Sequence, residues 1–217
     1  NIYWKVSALF AKICYGKIMK NFLVIVVLGI FFSTNLVAKE IRTRFGFYVD
    51  LPNNYMVVND QNVGSLMNDY EGSEMDKDFF NDFVAGSSSK DLNIEYYFPK
   101  NFNAELNSIN LNVQRDASFE DIEVLGLNEL CPYFTDLFSE LYKKNVKQYN
   151  CSISKKFRPK FNKILYLKHD GLYRNQFLIQ YMVGLSNGLA TFTIGCEKKH
   201  CNTLQKDTER IIFSVKD

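Results

Sequence analysis

The segment from Lys163 to Cys196 reads KILYLKHDGLYRNQFLIQYMVGLSNGLATFTIGC, and its reading decides the fold. Three runs rich in Ile, Leu, Tyr, Phe, Val and Thr, residues 163–169, 172–184 and 189–196, have the composition of strands. Asp170-Gly171 and Asn187-Gly188 separate them. Both dipeptides suit type I′ hairpin turns, whose central residues need positive φ. The expectation is an antiparallel meander. In the last run Ala190, Phe192 and Ile194 alternate with Thr191 and Thr193, which puts one face on a core and the other nearer water.

On the C-terminal side, residues 202–215 are expected to form a helix with Leu204, Ile211, Ile212 and Val215 facing inward. Upstream, Leu127, Leu130, Phe134, Leu137, Phe138 and Leu141 recur at helical spacing. Pro132 suits only a first turn, so the regular helix is expected to begin near it, with Lys143 and Lys144 at its C-terminal end. Residues 91–98 and 108–115 read as strands joined by a polar loop. Ser73, with Asp76 three residues on, is an N-cap candidate for a helix carrying Met75, Phe79 and Phe83 on one face. Residues 44–51 alternate as a half-buried strand, Pro52-Asn53-Asn54 makes a turn, and Tyr55 to Val58 reads as a short return strand. The fold class is therefore α+β: a mostly antiparallel sheet with two or three helices packed on it.

The N-terminal part reads as an address. Met19-Lys20-Asn21 precedes eleven apolar residues, Phe22 to Phe32, and a small-residue stretch closes at Ala38. A basic start, an apolar run and a small residue before a polar one make a secretory signal peptide over 19–38. The run falls short of the about 20 residues a membrane-spanning helix needs. An uncleaved anchor is the alternative, and Leu36 sits where cleavage prefers a small residue. The chain opens on Asn, so residues 1–18 are read as upstream or n-region sequence and set apart from the fold. The expected product is one exported domain, residues 39–217, periplasmic or secreted after cleavage near Ala38.

The leader holds Lys5, Lys12, Lys17 and Lys20 and no acid, so its removal takes the net charge from +2 to −2. That balance argues against nucleic acid as a partner. Four cysteines remain: Cys131, Cys151, Cys196 and Cys201. An even count in an exported chain favours two disulfides, with three possible pairings. A helix over 132–145 climbs about 20 Å, and an extended return over 146–151 brings the chain back about as far. That geometry favours Cys131–Cys151, leaving Cys196–Cys201.

FGFYVDLPNNYMVV, residues 45–58, resembles the opening of exported bacterial domains with the Mog1/PsbP-like fold. GLATFTIGCEKKHCNTLQKDTERIIFSVK, residues 188–216, is similar to their last strand and final helix. The resemblance covers roughly residues 44–216 and rests on order and pattern. It implies an accessory, assembly or binding protein, and it transfers no functional residue.

Among the candidate sites, His169 beside Asp170 is read as a turn residue, because no nucleophile motif accompanies it. Cys196, His200 and Cys201 are three potential metal ligands where zinc wants four, so the cysteines are read as a disulfide. Asp69, Glu71, Glu74, Asp76, Asp78 and Asp82 lack the register of a calcium loop and suit a solvated helix face. Lys155, Lys156, Arg158, Lys160 and Lys163 enclose Phe157 and Phe161, and this stretch is the partner-binding candidate. Basic residues interleaved with aromatics dock on anionic head groups or an acidic protein surface. Pro159 at that point also blocks strand pairing. No catalytic, metal or cofactor set emerges. The expectation is a non-catalytic exported domain that binds a protein or an anionic envelope surface, touching the membrane itself only through an uncleaved leader. A small-ligand carrier with an apolar cavity and a hydrolase with an unrecognised site are the competing readings.

Overall fold

The structure is a computed structural model, and it describes residues 38–59 and 94–217. The leader expected before Ala38, the helix expected from Ser73 and the acidic run at 69–82 lie outside the described residues. The strands are β1 (Ala38–Arg42), β2 (Tyr48–Pro52), β3 (Tyr55–Val58), β4 (Ile94–Pro99), β5 (Ser108–Gln114), β6 (Gln148–Ser154), β7 (Ile164–Asp170), β8 (Gln176–Leu185) and β9 (Gly188–Glu197). The helices among the described residues are α1 (Phe119–Leu125), α2 (Leu127–Tyr142) and α3 (Cys201–Ser214). Seven strands form one antiparallel sheet in the order β3-β4-β5-β9-β8-β7-β6. β1 and β2 form a separate two-stranded sheet.

Period-2 burial explains the layers. On β8, Ile179, Tyr181 and Val183 enter the core cluster that contains Leu204, Ile211 and Ile212 of α3. Met182, from the other face of the same strand, packs with Leu165, Leu167, Ile122 of α1 and Leu130 of α2. α3 thus covers one face of the sheet and the α1–α2 pair covers the other. β9 keeps the expected asymmetry: Ala190, Phe192 and Ile194 are fully buried, while Thr191 and Thr193 are only partly so. Leu204, Ile211, Ile212 and Val215 are all buried, as the spacing predicts.

The turns differ from expectation. Asp170-Gly171 is not a two-residue hairpin, because β8 starts only at Gln176. The Gln176 side chain fills the connection instead. Its amide donates to the Leu106 carbonyl at 3.0 Å, and a Cβ on Gly171 would lie within 2.9 Å of it. In the β8–β9 hairpin the closing pair is Leu185 with Gly188, so the central residues are Ser186 and Asn187. Gly188, at φ +148°, answers a different need: a Cβ there would meet the Gln114 carbonyl oxygen of β5 at 2.5 Å. Tyr55 to Val58 does not return along β2 but pairs with β4. The 44–51 strand begins only at Tyr48, although Phe45 and Phe47 are still buried.

α2 also starts earlier than Pro132 suggests, at Leu127, so the proline lies inside the helix. There it removes one backbone donor from the helical ladder. Buried Leu130 and the disulfide at Cys131 press the preceding turn onto the sheet and hold it helical. α1, which the hydrophobic pattern did not reveal, is nucleated by a capping box: the Asp121 N–H donates to Ser118 Oγ, and the Ser118 N–H donates to Asp121 Oδ2. Cys131–Cys151 and Cys196–Cys201 are the bonded pairs, with Cα separations of 5.9 and 5.1 Å.

Two outcomes follow for stability. Phe192→Ala is expected to cost about 3–5 kcal/mol in urea denaturation, while exposed Leu137→Ala stays within about 0.5 kcal/mol. Opening Cys131–Cys151 by paired serine substitution is expected to cost about 3 kcal/mol and Cys196–Cys201 about 2, following the sizes of the loops they close.

Candidate functional site: the basic loop after β6

β6 and β7 are joined by residues 155–163, the stretch that carries the interleaved cations and aromatics. Its aromatics point inward. Phe157 is fully buried, with its ring centroid 5.8 Å from that of Tyr181 and 4.8 Å from that of Phe213 on α3. Phe161 is buried in the same core. Both rings anchor the loop; Phe157 is out of a partner's reach and leaves the partner-binding set expected from sequence, while Phe161 keeps an edge toward the neighbouring cleft. The loop is closed locally: the Phe161 N–H donates to the Phe157 carbonyl at 3.0 Å, and Arg158 Nε donates to the Asn162 carbonyl at 3.3 Å. The Arg158–Pro159 peptide is cis.

The cations split into two groups. Lys156 Nζ lies 2.5 Å from Glu209 Oε2 on α3, and Lys163 pairs with Glu123 on α1. Both tie the loop to a helix. Lys155, Arg158 and Lys160 are exposed, and among the described residues none of them forms an ion pair within 4.0 Å. Lys160 lies close enough to Asp217 to help hold its carboxyl below the usual value, after the larger effect of the Ser186 N–H donated to it. The surface is therefore a rigid loop presenting three cations.

Glu209 is the hub beneath it. Tyr181 Oη donates to Glu209 Oε1 at 2.9 Å, and Gln205 Nε2 donates to Tyr181 Oη at 2.9 Å. Burial, reinforced by Glu209, pushes the Tyr181 hydroxyl far above its ordinary range, so it stays a donor. Glu209 was missed in the sequence because an acid on a helix reads as solvated surface. Its spacing four residues after Gln205 was the available signal.

Beside the loop lies a cleft of about 950 Å³. The start of α1, the 160–163 end of the loop and the β8–β9 turn enclose it, and Arg115, Asp116, Glu120, Lys160 and Asn187 mark its rim. Phe119, Phe161 and Leu185 line it from within. Neither His nor Cys is among its lining residues, and Ser118 Oγ is engaged with Asp121. This is an open recess lined by charges of both signs.

The remaining candidates lie apart from it. His169 is not at a turn but fully buried within β7 beneath α2. Its Nε2 lies 3.3 Å from Thr135 Oγ1 and 3.2 Å from Gln148 Nε2, and its Nδ1 has no partner among the described residues. Burial lowers its pKa below 6.5, with Asp170 opposing. Cys196 and Cys201 are spent on their disulfide, and the His200 ring stacks on Phe102 at 4.1 Å. Between β3 and α3, Tyr55 Oη donates to Asp207 Oδ2 at 3.0 Å. Burial raises the Asp207 pKa although Tyr55 and Arg210 pull it down.

No family model and no curated relative matches the chain. Among solved structures it is similar to cyanobacterial PsbP (CyanoP) from Synechocystis sp. PCC 6803, at TM-score 0.51 and 8% identity over 85% of this chain and 95% of that one. A second likeness, to a Bacteroides thetaiotaomicron protein, has TM-score 0.46 and 9% identity over 83% of this chain and 48% of that one. The first shows that the chain has a PsbP-like fold, in keeping with the resemblance read from residues 45–58 and 188–216.

Two measurements test these placements. Phe157→Ala is expected to cost about 3–5 kcal/mol, as a core anchor would, whereas Lys155→Ala changes stability by less than about 0.5. A depressed His169 pKa means the unfolded chain takes up a proton first as pH falls, so stability drops below about 6.5. His169→Leu is expected to flatten the pH 7.5-to-5 difference in denaturation midpoint.

Proposed function

We propose that this chain is a non-catalytic exported domain that binds an acidic partner surface through the loop at 155–163. The observation that carries the reading is the division of labour in that loop. Two buried phenylalanines fix it, and Lys155, Arg158 and Lys160 are exposed, none of them within 4.0 Å of a carboxylate among the described residues. A loop that is ordered before binding gives up little entropy on association. Cations on such a surface steer an anionic partner more than they stabilise the fold.

Export rests on the apolar run at 22–32 and on two bonded cysteine pairs, which persist in oxidising compartments. CyanoP supplies the fold comparison, and an accessory rather than catalytic role is the reading that fits a charged loop better than the recess beside it. The anionic surface is a protein or the head groups of an envelope membrane.

The test is the triple reversal Lys155→Glu, Arg158→Glu, Lys160→Glu, which spares the paired Lys156 and Lys163. Association, measured by envelope pull-down and by co-sedimentation with phosphatidylglycerol-rich vesicles, is expected to disappear, while the thermal midpoint moves by less than about 2 °C. Unchanged association in both assays overturns the assignment. N-terminal sequencing of the exported protein is expected to begin at Lys39; a product that retains the apolar run rejects cleavage.

A further inference from the structure

β6 is the outermost strand of the seven-stranded sheet, at the end opposite β3. Its sequence, QYNCSIS, contains no charged residue and no proline, the usual means of blunting an edge. A register shift between Gln148 and Asn150 is the one irregularity, and Asn150–Ser154 stay in regular pairing with β7, from Asn150 opposite Lys168 to Ser154 opposite Ile164. In an antiparallel ladder successive residues turn their N–H and C=O alternately toward the neighbour and away, so about two or three of these five face outward. Among the described residues no backbone hydrogen bond reaches that outer side. The strand is also held in place before any partner arrives. Cys151 is bonded to Cys131 of α2, and Ile153 packs against the apolar layer beneath α1 and α2.

We propose that the outer edge of β6 takes an extended, acidic segment of a partner polypeptide as an added strand. The proposal rests on the partner-binding reading above and deepens it by naming the form of the partner. Ser154 runs directly into Lys155, and Arg158 follows within the same loop, so the Ser154 end of the edge leads into two cations that form no ion pair among the described residues. Lys147, exposed at the other end, has its ammonium 5.0 Å from the Tyr149 ring centroid, with Asp170 bonded to the Tyr149 hydroxyl close by. The Ser154 end is therefore the more positive and orients an acidic guest. Two copies paired antiparallel through this edge would set Lys155 and Arg158 of each toward Lys147 of the other, like charges facing. In strand addition the main-chain bonds supply affinity, and flanking charges and alternate side chains supply selectivity.

The experiment is an amide-resolved NMR titration of the purified protein with three peptides: EEVTVTVEE, its neutral-ended form QQVTVTVQQ, and EEVTPTVEE, whose central proline breaks the ladder. The first is expected to bind and to slow hydrogen exchange at the outward amides within Asn150–Ser154. The neutral ends are expected to weaken binding by about fivefold or more at low salt. The proline form is expected to give no protection there. Two results overturn the proposal: no protection of β6 by EEVTVTVEE at millimolar concentration, or equal binding by EEVTPTVEE. In either case vesicle or pull-down binding that is still lost on reversing Lys155, Arg158 and Lys160 leaves the basic-loop reading standing alone. A dimer in sedimentation that protects these same amides without peptide makes a second copy the occupant and also overturns it.

Discussion

β8 buries large apolar side chains on both of its faces, and the rest of the molecule follows from that. Ile179, Tyr181 and Val183 are buried toward α3, and Leu178 and Met182 are buried toward α1 and α2. A strand apolar on both sides cannot be stable at the surface of a sheet, so it must be central and covered twice. β9 and β7 flank it, and helices are required above and below. Removing either helical layer would expose several large side chains, at about 1.5–3 kcal/mol each. The two-sided requirement also explains the disulfides. Cys131–Cys151 fastens α2 to β6, and Cys196–Cys201 fastens the end of β9 to the first turn of α3.

Buried polar groups reinforce the same layers. Glu95 on β4 accepts from the Tyr97 hydroxyl at 2.6 Å and from the Arg44 N–H at 3.0 Å, so a carboxylate within the sheet is met by donors. Asn107 joins the loop before β5 to the end of β9, accepting from the Glu197 N–H at 3.1 Å. Tyr55 and Asp207 connect β3 to α3. Each bond contributes modestly while made, but losing one partner strands the other in a dry site. His169 departs from this rule on its Nδ1, and burial of the ring, which lowers its pKa, couples its protonation state to folding.

The sequence made some of this legible. Alternation located β9 to within a residue at each end, and spacing on α3 identified Leu204, Ile211, Ile212 and Val215 as its buried face. Helix rise and strand reach were enough to pair Cys131 with Cys151, even though the helix starts five residues before Pro132. What was hidden depends on tertiary partners. β6 has little apolar signal, since QYNCSIS is a strand because β7 pairs with it. The β7–β8 connection is longer than its Asp-Gly dipeptide implies because Gln176 reaches across to Leu106. α1 is only seven residues long, and its Ser118–Asp121 box is the clearest signal of it in the sequence.

The loop at 155–163 shows why an interleaved basic-aromatic stretch is ambiguous when read alone. The pattern KKFRPKFNK serves equally as a docking motif or as a folded loop with aromatic pegs. Burial decides between them: the Phe157 ring sits among Tyr181 and Phe213, where a partner cannot reach it. That placement constrains the cations too. With Phe157 and Phe161 directed inward, their charged neighbours cannot follow into an apolar core without a heavy desolvation penalty. Lys156 and Lys163 find carboxylates on the helices at the loop's margins, while Lys155, Arg158 and Lys160 turn to water. The same two rings anchor the loop whose exposed cations follow the end of β6.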